Sequence, residues 1–267
     1  MTDLGRDPLP LRGRVALVTG ASRRVGIGYA TARRLATYGA SVFVHHFVPH
    51  DAAQPWGADP GGPAAVVEGV TEALADPDAS VRHLSTDLAT PEGPEQLVSA
   101  AVAAFGQLDV VVCNQARSGG DGPLSTMDAA KLDAHWAVNT RASILLARSF
   151  AALGGPGRIV FLTSGQDLGP MRDEVAYAAS KGALASITAT LADELADIGI
   201  TVNTVNPGPV DTGYAPPDLV AAVATRFPSG RWGEPDDPAR LIAWLVTDEA
   251  RWVTGQVINT EGGFRRA

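Results

Sequence analysis

The chain has 267 residues, of which 45% are hydrophobic and 19% charged, and its formal net charge is −8. That length supports one full-sized core, and the hydrophobic content excludes a disordered chain. The acidic balance excludes a general binder of nucleic acid or of anionic membrane, because such a surface needs a basic surplus.

The segment Met1–Pro8 lacks the basic start and apolar stretch of a secretory leader, so a cytoplasmic location is expected. Arg14–Thr19 is a short apolar run of the kind found in a strand buried on both faces. A glycine-rich turn follows, then a helix over Tyr29–Tyr38 closed by Gly39. Ser41–Phe47 is strand-like, being rich in β-branched and aromatic residues. Residues 48–63 hold several Pro and Gly and predict a long surface loop. Beyond it, helices over Ala64–Ala75, Pro94–Phe105, Asp128–Leu153, Val175–Ile198 and Pro238–Val246 alternate with strands over Val81–Ser85, Leu108–Cys113, Arg158–Thr163, Thr201–Asn206 and Gln256–Asn259. Such alternation predicts a single α/β domain over residues 1–267, a doubly wound, Rossmann-like parallel sheet of seven strands with helices on both faces. Ligands are then expected at the carboxyl ends of the strands.

No run approaches the roughly 18 apolar residues of a membrane helix. Cys113 is the single cysteine, which excludes an intrachain disulfide, and the five histidines show no metal-binding spacing. No metal is therefore expected.

The turn Thr19-Gly20-Ala21-Ser22-Arg23-Arg24-Val25-Gly26-Ile27-Gly28 lies between the first strand and the first helix. Glycines there let a pyrophosphate approach the backbone, and the helix N-terminus offers free N–H groups. Later in the chain, Tyr177 and Lys181 are four residues apart at the start of a predicted helix, which places phenol and ammonium on one face. Lysine is scarce here: Lys131 and Lys181 are the only two, against four tyrosines. A cation beside a phenol favours the phenolate, so Lys181 is expected to lower the pKa of Tyr177 and make it a usable acid or base. Ser164 ends the strand Arg158–Thr163, where this architecture presents its ligands.

These motifs, taken in order, resemble the short-chain dehydrogenase/reductase family over essentially the whole chain, and bacterial 3-oxoacyl-carrier-protein reductases among its members. The matching features are the glycine turn, Asp87 after the third strand, Asn139, Ser164, the Tyr177/Lys181 pair, Asn206-Pro207-Gly208 with Thr212, and Thr254-Gly255-Gln256 before Glu261-Gly262-Gly263. The resemblance implies that Tyr177 is the acid or base, that Ser164 polarises a carbonyl, and that Asn139 anchors a water leading to Lys181. Lys181 would also hold the nicotinamide ribose. It implies a dinucleotide held by Gly20, Ser22, Arg23, Arg24, Gly26, Ile27, Gly28, His46, Asp87, Leu88, Asn114, Ala116, Tyr177, Lys181, Pro207, Gly208, Val210 and Thr212. The substrate would meet Gln166, Met171 and Tyr214, with residues 213–232 as a lid.

The sequence departs from the family pattern at two places. Gly20 and Gly26 enclose five residues instead of three, and the usual Asn-Asn-Ala-Gly reads Cys113-Asn114-Gln115-Ala116. At the second strand's end, where relatives that use NAD carry an acid, His46 stands, with Arg23 and Arg24 nearby. NADP(H) is therefore expected over NAD(H). Asp51 is the rival ribose ligand. The expected function is hydride transfer between NADP(H) and a small-molecule carbonyl or secondary alcohol, with a ketone or 3-oxoacyl compound as substrate. The alternatives are an NAD-dependent alcohol or sugar dehydrogenase and a non-catalytic nucleotide sensor. A homodimer or homotetramer is expected through the helices Asp128–Leu153 and Val175–Ile198, where Ile144, Leu145, Leu184, Ile187 and Leu191 serve either the interface or the core.

Overall fold

A computed structural model of the chain describes residue 5 and residues 7–266, so the expectation about a leader rests mostly on positions outside the described residues. Seven parallel strands form one sheet: β1 (Val15–Val18), β2 (Ser41–His46), β3 (Val81–Ser85), β4 (Val110–Cys113), β5 (Gly157–Leu162), β6 (Ile200–Asn206) and β7 (Val257–Asn259). Their order across the sheet is β3-β2-β1-β4-β5-β6-β7. The chain therefore winds outward from β1 in one direction and restarts at β4 on the other side. The crevice between the carboxyl ends of β1 and β4 is the switch point at which such sheets bind ligands.

Strand alternation divides the core into two layers. Ala16, Val18, Val42 and Val44 face a cluster that includes Ala32 and Leu35 of α1 (Ile27–Thr37), Val66 of α3 (Gly62–Thr71) and Ile242 of α9 (Asp236–Leu245). Val15, Leu17, Val111 and Phe161 face the opposite cluster. That cluster is closed by Leu97 of α4 (Gly93–Phe105), Leu146 of α6 (Ala142–Ala151) and Leu184 of α7 (Val175–Glu194). Leu184 thus belongs to the core, and Ile187 and Leu191 pack against it.

Three predicted elements differ from the structure. The 48–63 stretch is not all loop, because Val48–Ala52 forms a short helix, α2, and α3 already starts at Gly62. Proline opens both helices at positions where its missing N–H costs nothing. The single helix expected over Asp128–Leu153 is α5 (Ala129–His135), a π-helical turn over Trp136–Arg141, and α6. Asp128 caps α5 by accepting a bond from the Lys131 N–H at 2.9 Å. Within residues 213–232, α8 (Pro217–Ala224) was not foreseen. Phe227 and Trp232 of this segment are buried; the Trp232 indole donates to the Val220 carbonyl at 2.8 Å, which ties the segment's end back onto α8, and the Phe227 ring meets Phe264 with centroids 5.0 Å apart.

Candidate active site

The glycine turn is clamped to the end of β4. Asn114 donates its amide to the carbonyls of Thr19 and Gly20, each at 3.0 Å. Gly20 has a left-handed backbone (φ +66°), and a Cβ on it would lie 2.7 Å from Gln115 Cα. A Cβ on Gly28 would lie 2.5 Å from the Asn114 amide nitrogen. Helix α1 starts after Gly26 with no side-chain cap and no acid in its first turn, so its N–H groups and positive dipole end meet no competing anion there. This turn opens on a cleft of about 1090 Å³ lined by Gly20, Ser22, Arg23, Gly26 and Ile27 at one end and by Ser164, Tyr177 and Lys181 further in. Bare amides, closely packed glycines and that volume fit a dinucleotide.

The reactive end is built on β5 and α7. The Lys181 ammonium lies 5.8 Å from the centre of the Tyr177 ring and donates to the Leu162 carbonyl at 2.8 Å. Ser164 lies beside the Tyr177 phenol and favours its ionised form. The expectation that Lys181 lowers the Tyr177 pKa is corrected here. Burial raises the phenol, helped by Glu174 and Tyr214, and only Ser164 opposes it. The ammonium sits against the ring and is bonded to a carbonyl, which is why it does little for the phenolate. Burial pushes Lys181 itself down to about 8, from the 10.5 of a free lysine. Between those two values the native state binds fewer protons than the unfolded chain, so this group's contribution to stability rises with pH through that window. The unfolding free energy of wild type relative to Lys181→Met, from urea titrations, should increase by up to about 3 kcal/mol across it. A flat difference would contradict the buried ammonium.

Asn139 does not reach the cleft. It lies fully buried in the π-helical turn, accepts the Arg117 N–H at 2.6 Å and donates to the Arg117 carbonyl at 3.2 Å and to Ser180 Oγ at 2.9 Å. The turn's displaced carbonyls find side-chain donors: Gln115 reaches Val138 O at 3.2 Å, and Ser143 reaches Asn139 O at 2.8 Å. Gln115 also accepts from the Thr19 hydroxyl, so this departure from the family motif ties the end of β1 to the π-helical turn. Cys113 beside it is buried and its thiol is pushed up to about 12, which leaves it inert.

Of the other expected contacts, Asp87, Leu88, Asn114, Ala116, Pro207, Gly208, Val210, Thr212, Met171 and Tyr214 line the cleft. Arg24, Gly28, His46 and Gln166 do not. Arg24 pairs with Asp59 at 3.0 Å. Gly28 is packed beneath the turn against Asn114 and Gly20. Gln166 folds back to accept the Ser164 N–H at 3.2 Å, fixing that residue instead of lining the wall. His46 stacks on His83, its Nε2 3.1 Å from the His83 Nδ1. Neighbouring strand residues face opposite sides, so counting along the sequence had selected the wrong one of two histidines. His45 faces the cleft, accepting the Gly20 N–H at 3.1 Å, and burial drives its pKa to about 4, so it is neutral.

Sequence reasoning missed two walls. One is the segment after β2, which brings His50, Gln54 and Trp56 into the cleft beside Asp51, the rival ribose ligand, and sets the Trp56 ring edge-on to Tyr214, centroids 6.4 Å apart. The aromatic residue in a Pro/Gly-rich stretch was the available signal. The other is the C-terminal tail, where Phe264 and Arg266 face the cleft and Arg266 pairs with Glu261. Nothing in the local sequence marks it.

A family profile described as enoyl-(acyl carrier protein) reductase matches residues 20–265. An oxidoreductase of Bacillus subtilis described as uncharacterized is 39% identical over 258 residues, spanning 95% of this chain and 97% of its own length. The NADPH-dependent aldehyde reductase-like chloroplastic protein of Arabidopsis thaliana is 33% identical over 98% of both chains. A short chain dehydrogenase of Burkholderia cenocepacia, solved in complex with NADP, superimposes with a TM-score of 0.81 at 36% identity, over 95% of this chain and 98% of its own.

Proposed function

The chain belongs to the short-chain dehydrogenase/reductase family, oxidoreductases of alcohol and carbonyl groups that use a nucleotide cofactor, and from that premise we propose that it reduces a ketone or aldehyde with NADPH. The observation that carries this reading is the cluster of Ser164, Tyr177 and Lys181 in one cleft with the open glycine turn. When bound, the dinucleotide supplies the hydride. Gly20, Ser22, Gly26 and Ile27 would hold its pyrophosphate, with Asp87, Asn114, Ala116, Pro207, Gly208, Val210 and Thr212 along its length.

The substrate oxygen sits between Ser164 and Tyr177. The serine hydroxyl donates to it and stabilises the charge that develops during reduction. Burial keeps the Tyr177 phenol protonated through neutral pH, which is the form a general acid needs. Tyr177 gives its proton to the oxygen and yields the alcohol. Ser164 favours the phenolate left behind, and Lys181 would hold the nicotinamide ribose. Asn139 serves this chemistry through the Arg117 main chain and Ser180. Met171 and Tyr214 bound the substrate. Oxidation of the alcohol runs the same steps backwards.

NADPH is favoured because Arg23 lines the cleft and the strand end offers neutral His45 in place of a carboxylate. Asp51 also lines the cleft and supports the second reading, an NAD-dependent dehydrogenase acting on an alcohol. We place the chain in the cytoplasm as a dimer or tetramer. Comparing kcat/KM for NADPH and NADH across a panel of ketones and aldehydes tests the assignment. A preference for NADPH of about tenfold is expected, as a charge-assisted phosphate contact provides; a tenfold preference for NADH would select the second reading.

A further inference from the structure

The most telling bond on the catalytic helix comes from a residue with no assigned role. Helix α7 starts after Glu174, whose own side chain caps nothing. Its first N–H groups turn instead to Asp121, more than fifty residues earlier. One carboxylate oxygen accepts the Ala176 N–H at 3.1 Å, and the other accepts the N–H of Tyr177 itself at 2.7 Å. The Gly122 N–H adds a third bond at 2.8 Å. Burial alone would raise this carboxyl, but the three amides hold it below its ordinary value, so it is ionised at neutral pH.

Asp121 ends the loop that Asn114 begins. Asn114 grips the carbonyls of Thr19 and Gly20, the middle of the loop is held at Arg117 by Asn139, and Asp121 grips the main chain of Tyr177. One short segment thus fixes the glycine turn and the phenol relative to each other. We propose that Asp121 is a positioning residue that holds Tyr177 at the distance from the cofactor floor that proton transfer requires. This rests on the reductase reading above. The leverage is large, since about 1 Å of misplacement at a reacting group costs on the order of a hundredfold in rate.

The test uses the full chain with NADPH and a carbonyl substrate that it reduces. Wild type, Asp121→Asn and Asp121→Ala are compared in kcat per folded molecule, in KM, and in NADPH Kd from fluorescence titration. Asparagine presents one accepting oxygen where the carboxylate presents two, so it serves the Tyr177 N–H and leaves Ala176 unpaired. The expected order in kcat is wild type above Asn above Ala. The alanine variant should be lowered about tenfold or more, with KM and Kd within about twofold of wild type. A cap that only stabilises the helix would lower the folded fraction and leave kcat per folded molecule unchanged. That result, or an asparagine variant as poor as alanine, overturns the inference alone. Should Asp121→Ala fail to fold, Asp121→Ser replaces it, its hydroxyl being too short for both amides, and the same ranking is read. A wild type that turns over no carbonyl, or a Tyr177→Phe variant with wild-type rate, overturns the reductase reading and this inference with it.

Discussion

Replacing Tyr177 by phenylalanine is expected to lower kcat for carbonyl reduction by at least about a hundredfold, the scale of a lost general acid, while NADPH binding stays within about threefold. The substitution removes one oxygen from a ring whose body remains packed at the start of α7. The ring's contact with Lys181 is retained, and so is the Asp121 bond to the Tyr177 main chain, because neither involves the phenol oxygen. What disappears is the proton donor beside Ser164. Parallel measurements of initial rate and of cofactor quenching of protein fluorescence separate the two effects. Loss of binding and rate together would place the tyrosine in cofactor holding instead of acid catalysis.

The second large effect is expected at Gly20. Two independent penalties meet there. An alanine would hold a left-handed backbone (φ +66°), which costs about 1–2 kcal/mol for a residue with a Cβ. Its Cβ would also press on Gln115 Cα at 2.7 Å and Gln115 N at 2.9 Å, and backbone atoms yield little. Overpacking of this kind adds about 1–3 kcal/mol, so Gly20→Ala should lose a few kcal/mol of unfolding free energy in a urea titration. Dinucleotide affinity should fall with it, since relief of the clash moves the turn away from Asn114. Wild-type stability in that variant would show that the turn is not clamped to β4 as described. By contrast, Gly13 also has a positive φ (+75°) but open space around a Cβ, so alanine there should cost only the backbone part.

Much of the fold was legible because it rests on short apolar runs and their alternation with helices. Every strand was placed to within about three residues, since a strand buried on both faces has few ways to look otherwise. The helix broken at Trp136–Arg141 was not legible, because the π-helical turn depends on Gln115 and Ser143 meeting freed carbonyls. Local sequence does not record such tertiary bonds. At the site, the Ser164, Tyr177 and Lys181 cluster followed from spacing and strand ends. The histidine choice failed by one residue because a strand's period is two, so a one-residue error reverses the face. Arg24 failed, and Asp121 went unseen, for a different reason. Their partners, Asp59 and the α7 amides, are distant in sequence and meet only once the chain is folded.

The central claim is that this cleft delivers a hydride to a carbonyl while Tyr177 delivers the proton. The most direct measurement supplies NADPH deuterated at nicotinamide C4, on the transferred face, together with a ketone that the enzyme consumes, and weighs the alcohol by mass spectrometry. One deuterium on the carbinol carbon is predicted, formed in step with the loss of cofactor absorbance and absent from the Tyr177→Phe reaction. Tight NADPH binding with no labelled alcohol from any ketone or aldehyde would contradict the account and leave a nucleotide-binding protein without this chemistry.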